Sequence, residues 1–103
     1  MHHLRAKLWL EIDGEPVIGE GRAKLLETIE ELGSLNKAAE TLGMSYRHAW
    51  GIIKHMSEVL GDEIVVSARG GEGGGGTRLS DAGKALLSEF REKCDRIRHL
   101  VDE

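Results

Sequence analysis

Tyr46, Arg47, Trp50 and Lys54 fall within nine consecutive positions, two aromatic rings and two cations at intervals of one, three and four. An arginine can donate two parallel hydrogen bonds to a guanine edge or a phosphate, and a lysine supplies a compact positive charge. Such a set suits recognition of an anionic ligand with readable edges better than it suits a reaction. The intervals put the four side chains on one side of the chain only if the segment is helical. The residues between them say that it is: Ala49, Ile52, Ile53 and Met56 form an apolar stripe at helical spacing. Ser45, Tyr46, Arg47, Trp50, Gly51 and Lys54 are left facing outward, with His48 toward the same ligand or toward solvent. Gly51 inside a helix costs about 1 kcal/mol against alanine, and on an outward face it allows close approach of the ligand.

A second stripe, Leu35, Ala38, Ala39 and Leu42, lies just upstream, and Gly43-Met44-Ser45 separates the two. Gly43 can end one helix in a left-handed conformation, Ser45 can cap the next, and Met44 serves as an apolar plug under the turn. Ala38 and Ala39 let the helices cross closely. Two short helices with this turn form a helix-turn-helix, whose second helix enters the DNA major groove. The plain alternative is an αα-hairpin with a solvated face, but an outward tryptophan argues against it.

The rest of the chain must position this unit. Leu4, Ala6, Leu8, Leu10 and Ile12 alternate with polar residues, predicting a half-buried strand over 4–12. Asp13-Gly14 makes a turn, and Pro16-Val17-Ile18 returns as a short edge segment. Leu25, Leu26, Ile29 and Leu32 predict a helix over about 20–32, stopped by Gly33, and Ser34 caps the helix that follows. After the recognition helix, residues 63–68 read as a strand, six glycines lie between Gly70 and Gly76, and Thr77-Arg78-Leu79 returns. Strand, loop and return strand make a wing over 63–79, with Arg69, Thr77 and Arg78 flanking the loop for phosphates or a narrow minor groove. The same glycines satisfy G-x-G-x-x-G, but a dinucleotide fold needs a further strand and an acidic residue after the helix, and only one helix of chain remains.

Ser80 caps the last helix. Along it Leu87, Phe90, Cys94, Ile97 and Val101 recur at alternating spacings of four and three, a seam for a second copy of the chain, with Trp9 of the first strand as an additional contact. The fold expected is mainly α with small β: a winged helix-turn-helix over 1–79 and a dimerisation helix over 80–103.

Charge supports the assignment through its distribution rather than its sum. The 103 residues carry a net charge of −4, yet residues 34–55 hold Lys37, Arg47 and Lys54 against Glu40 alone. An acidic body weakens sequence-independent attraction to DNA, so binding should be selective and dimeric. That acidity also favours the competing reading, a protein-interaction module with no DNA affinity. A single cysteine, Cys94, excludes an intrachain disulfide and is compatible with the cytoplasm. No signal peptide or membrane-spanning run is visible, so no membrane partner is expected. His48 and His55 stand seven apart and His99 is distant, a spacing that suits no metal. Ser45, Ser57, Ser67 and Ser88 have no nucleophile context, so neither an enzyme nor a cofactor is expected.

Over about residues 20–90 the sequence resembles the N-terminal DNA-binding domain of ModE-type, molybdate-responsive regulators. GSLNKAAETLGMSYRHAW (33–50) and RGGEGGGGTRLSDAGKALL (69–87) carry the resemblance. LysR-type regulators share a looser version, without S-Y-x-x-A-W or the glycine-rich wing. The resemblance implies a winged helix-turn-helix dimer on palindromic promoter DNA, with Ser45, Tyr46, Arg47 and Trp50 at bases or phosphates and Arg69, Thr77 and Arg78 at the wing. ModE regulators continue into molybdate-binding domains after the long helix, whereas this chain stops at Glu103. No molybdate ligands carry over, so an effector would act through a separate effector-sensing protein or as a different small ligand, or expression control would replace sensing.

Overall fold

The computed structural model describes residues 1–68 and 76–102; expectations placed on Arg69 and on the glycines before Gly76 lie outside them. The order is β1 (Trp9–Ile12), β2 (Glu15–Gly19), α1 (Glu20–Leu32), α2 (Leu35–Thr41), α3 (Tyr46–Leu60), β3 (Val65–Ala68), β4 (Gly76–Leu79) and α4 (Asp81–Asp102). This is a winged helix-turn-helix: α1 to α3 pack together, and the antiparallel pair β3–β4 follows α3.

β1 and β2 form an antiparallel hairpin closed at Asp13 and Gly14, both at positive φ (51° and 82°), which matches the primed turn that strand twist favours. The strand expected over 4–12 is shorter than its alternation suggested. Only Trp9–Ile12 pairs, because β2 offers five residues and residues before Trp9 meet no partner strand among the described residues. Leu8, Leu10 and Ile12 are half-buried against the core, as the alternation requires, whereas Leu4 is 79% exposed.

The core is built from one face of each helix: Ala23, Leu25, Leu26 and Ile29 of α1, Leu35, Ala38 and Ala39 of α2, and Ala49, Ile53 and Met56 of α3. Val17, Ile18, Ile64 and Leu79 close it from the strands and their flanks, and Leu86, Phe90 and Cys94 dock α4. The seam expected along α4 therefore divides. Phe90 and Cys94 are turned into their own domain at 2% and 3% exposure, and Leu87 is half-buried. Ile97 and Val101 remain exposed, together with Leu100. A three-four spacing marks an apolar face without saying whose core it faces. Trp9 is about half exposed, and its indole N–H donates to Glu11 Oε2 at 2.8 Å.

Hydrogen bonds between distant segments fix the wing to the bundle. Thr77 N donates to the Gly33 carbonyl at 2.9 Å, and Leu79 N to Glu30 Oε1 at 2.7 Å. The end of α1 thus sets where β4 lies. No helix among the described residues is long and apolar enough to cross a membrane.

Candidate nucleic-acid interface

The turn that presents α3 is satisfied bond by bond. Gly43, at φ 73°, donates to the Glu40 carbonyl, and Met44 N donates to Ala39 at 2.9 Å. These are the paired bonds of a left-handed helix stop, and a residue with a Cβ would be strained there. Ser45 follows in an extended conformation, and its Oγ accepts from His48 N at 3.0 Å. The hydroxyl therefore occupies one of the free N–H groups at the start of α3 and fixes the first turn. At the other end Gly61, at φ 79°, closes the helix on the Ser57 carbonyl.

Ala49, Ile53 and Met56 anchor α3 in the core. The opposite face carries Tyr46 (54% exposed) and Trp50 (47% exposed), with Arg47, His48, Gly51 and Lys54 also exposed. About half of each aromatic residue is left open to solvent on this face. Ile52, expected in the core, is half-buried at the edge of this face. Gly51 has open space around it: a Cβ built there meets nothing within 4 Å. Nothing in the chain itself demands glycine. Gly51→Ala should therefore raise the stability of the free domain by about 0.5–1 kcal/mol, read as a rise in thermal midpoint. If that face takes a closely approaching ligand, the same substitution lowers affinity.

Two open grooves flank α3. One is lined by Trp50, Lys54, Ser57 and Glu58 with Gly61–Glu63, and its floor near the end of the helix is acidic. The other is lined by Arg22, Ser45, Arg47, His48, Gly51 and Ile52. Arg22, from the first turns of α1, is absent from the sequence-derived set. Burial pushes its proton affinity down while the Glu15 carboxylate opposes that shift, and a guanidinium stays charged regardless. Its Nη1 reaches His55 Nδ1 at 2.9 Å, and His55 Nε2 reaches Glu15 Oε1 at 3.0 Å. These contacts join residues 33 and 40 positions apart, so no local spacing in the sequence signals them.

In the wing, Thr77 pairs with Ser67 and is half-buried, and Arg78 pairs with Val66 and is exposed. Among the described residues, no group of three or more His, Cys, Asp or Glu side chains is placed to hold a metal ion.

The bacterial regulatory helix-turn-helix proteins of the lysR family match this chain over residues 22–84, a span that takes in α1, α2, α3 and the wing. The chain belongs to that family. Its sequence is of the ModE type. It is 37% identical over 105 residues to the molybdenum transport protein ModE of Azotobacter vinelandii, covering 95% of this chain and 39% of that protein. It is 38% identical over 69 residues to the DNA-binding transcriptional dual regulator ModE of Escherichia coli K12, covering 67% of this chain and 26% of that one. The chain thus spans well under half the length of these relatives. ArgP from Mycobacterium tuberculosis shares the fold, with a TM-score of 0.59 at 23% identity over 81% of this chain and 29% of that one.

Proposed function

We propose that this chain is the DNA-reading part of a ModE-type transcriptional regulator, laying α3 in the major groove with the wing beside it. The observation that carries the reading is the exposed face of α3. Tyr46, Arg47, Trp50 and Lys54 stand on a helix whose other face is fully used by the core, in a family of regulatory helix-turn-helix proteins. Arg47 is the base-reading candidate, since its fork matches a guanine edge. Arg47→Ala is expected to weaken binding to a selected duplex by about 1–3 kcal/mol and to relax discrimination at one base pair. Fluorescence anisotropy on matched and singly mismatched duplexes measures both; unchanged affinity would remove Arg47 from that role.

The site is a two-fold repeat read by a homodimer. Support comes from the far end of α4, where Ile97, Leu100 and Val101 are 41%, 75% and 47% exposed, and from Leu4 at 79%. A groove between residues 4–8 and α4 is lined by Leu4, Ala6, Leu8, Phe90, Cys94, Ile97 and Val101 among others. A second copy would cover this apolar surface, with Trp9 at its margin. Half-sites are then about 34 Å apart or a multiple of that. In this reading effector sensing, including any response to a molybdenum species, belongs to other residues of the regulator or to a separate protein. The regulator works in the cytoplasm and catalyses no reaction.

A further inference from the structure

Arg22 is a cation that the fold holds in place without neutralising directly. Its Nη1 donates to the Val17 carbonyl at 3.1 Å and to His55 Nδ1 at 2.9 Å. A guanidinium has no acceptor, so Nδ1 must present its lone pair and the ring proton sits on Nε2. That proton is donated to Glu15 Oε1 at 3.0 Å. Both direct partners of Arg22 are therefore neutral, and the carboxylate is reached only through the ring. A half-buried charge tethered by neutral acceptors gives up hydration without the return that a direct ion pair provides.

The guanidinium is also fixed in direction. Val17 and His55 occupy Nη1, while Nε and Nη2 make no hydrogen bond among the described residues. The side chain lines the groove shared with Ser45, Arg47 and His48. Lys54 lies on the opposite flank of α3. A helix lying in a major groove has a sugar-phosphate strand along each flank, so each flank of α3 has a cation available to one strand.

We infer that Arg22 binds a backbone phosphate of the DNA strand running along the groove beside the start of α3, and that His55 is the positioning residue that aims it. Glu15 holds the ring in the tautomer this requires. The inference rests on the DNA-reading function proposed above and extends the contact surface from α3 to α1. Such a contact sets register and orientation and carries no base information.

The test is a salt titration of the full chain on a selected duplex. Arg22→Gln should lower affinity about tenfold at low salt, equally for matched and mismatched duplexes. The slope of log K against log salt should become shallower by about 0.9, the loss of one phosphate contact. Arg22→Lys keeps a charge in the groove and should keep the slope. His55→Leu, which removes the acceptor, should weaken binding. His55→Gln, whose amide can accept from Arg22 and donate to Glu15, should restore most of it. Should Arg22→Gln lose its helical circular dichroism, the Leu–Gln contrast at His55 decides instead. Wild-type binding with an unchanged slope in Arg22→Gln, or equal affinities for the two His55 variants, overturns this inference and leaves the DNA-reading function standing. Failure of the wild-type chain to bind any duplex overturns both.

Discussion

Replacing Phe90 with alanine is expected to destabilise the domain by about 3–5 kcal/mol, a large part of what a domain this size holds in total. The ring is 2% exposed and sits between Leu86 and Cys94 on the one face of α4 that meets the core. Polar contacts would not hold the helix in its place. Arg91 bonds Glu20 at 2.6 Å and forks onto Glu27, but these carboxylates are 60% and 41% exposed. Ion pairs that open to water contribute about 0–1 kcal/mol each. The hydrogen bond from Arg91 holds the Glu20 carboxyl below its ordinary range, so this small contribution is present above that range and disappears as acid protonates Glu20 through its lowered pKa. The aromatic ring therefore outweighs the cation beside it. Urea unfolding of Phe90→Ala against Arg91→Met checks this ordering, and a loss below 1 kcal/mol for Phe90→Ala would mean that α4 is docked by something else. Because α4 also carries the exposed Ile97, Leu100 and Val101, loosening it should weaken the proposed pairing of two copies as well.

Gly83→Ala is the second large effect, and its sign runs against helix propensity. Alanine in a helix is ordinarily favoured over glycine by about 1 kcal/mol. At Gly83 the added Cβ would lie 2.3 Å from the Ile64 carbonyl oxygen and 3.2 Å from its carbon. That carbonyl cannot swing aside cheaply. It accepts from Ser80 N at 2.8 Å, and the Ser80 hydroxyl, which also caps α4 through Gly83 N at 3.0 Å, has the Glu63 and Ile64 carbonyls as its acceptors. The clash sets a Cβ fixed rigidly to α4 against a backbone carbonyl, so the start of α4 must part from the entry to the wing. A cost of about 1–3 kcal/mol or more is expected, a fall of about 4–8 °C in thermal midpoint for each kcal/mol. Gly51→Ala is the matched control, since open space surrounds it and a rise is expected there. A stabilised Gly83→Ala would show that α4 and Ile64 do not meet as closely as described.

Local chemistry was legible in the sequence wherever one residue type has one job. Gly33 and Gly43 stop helices at positive φ, Asp13-Gly14 turns the hairpin, and Ser34, Ser45 and Ser80 accept from the first turns of their helices. The face of α3 followed from the stripe of Ala49, Ile53 and Met56, which pack where their spacing put them. What periodicity could not supply was the identity of the partner. Leu4 and Ala6 share the alternation of Leu10 and Ile12 yet find no strand among the described residues, because β2 is short. Phe90 and Ile97 share one helical stripe, yet one is core and the other is open. Arg22, His55 and Glu15 come from α1, α3 and β2, and a contact spanning 33 or 40 residues leaves no local pattern. The bonds from Thr77 to Gly33 and from Leu79 to Glu30 that seat the wing were hidden for the same reason.

The central claim is that the outward face of α3 reads DNA. Selection of binding sites from random duplexes by the full chain at low salt, with a salt titration on the selected sequence, tests it most directly. The account predicts an enriched inverted repeat whose affinity falls steeply as salt rises and drops when Arg47 is replaced by alanine. No enriched sequence at any salt would contradict it and would leave Tyr46 and Trp50 as the exposed contacts of a protein-binding module.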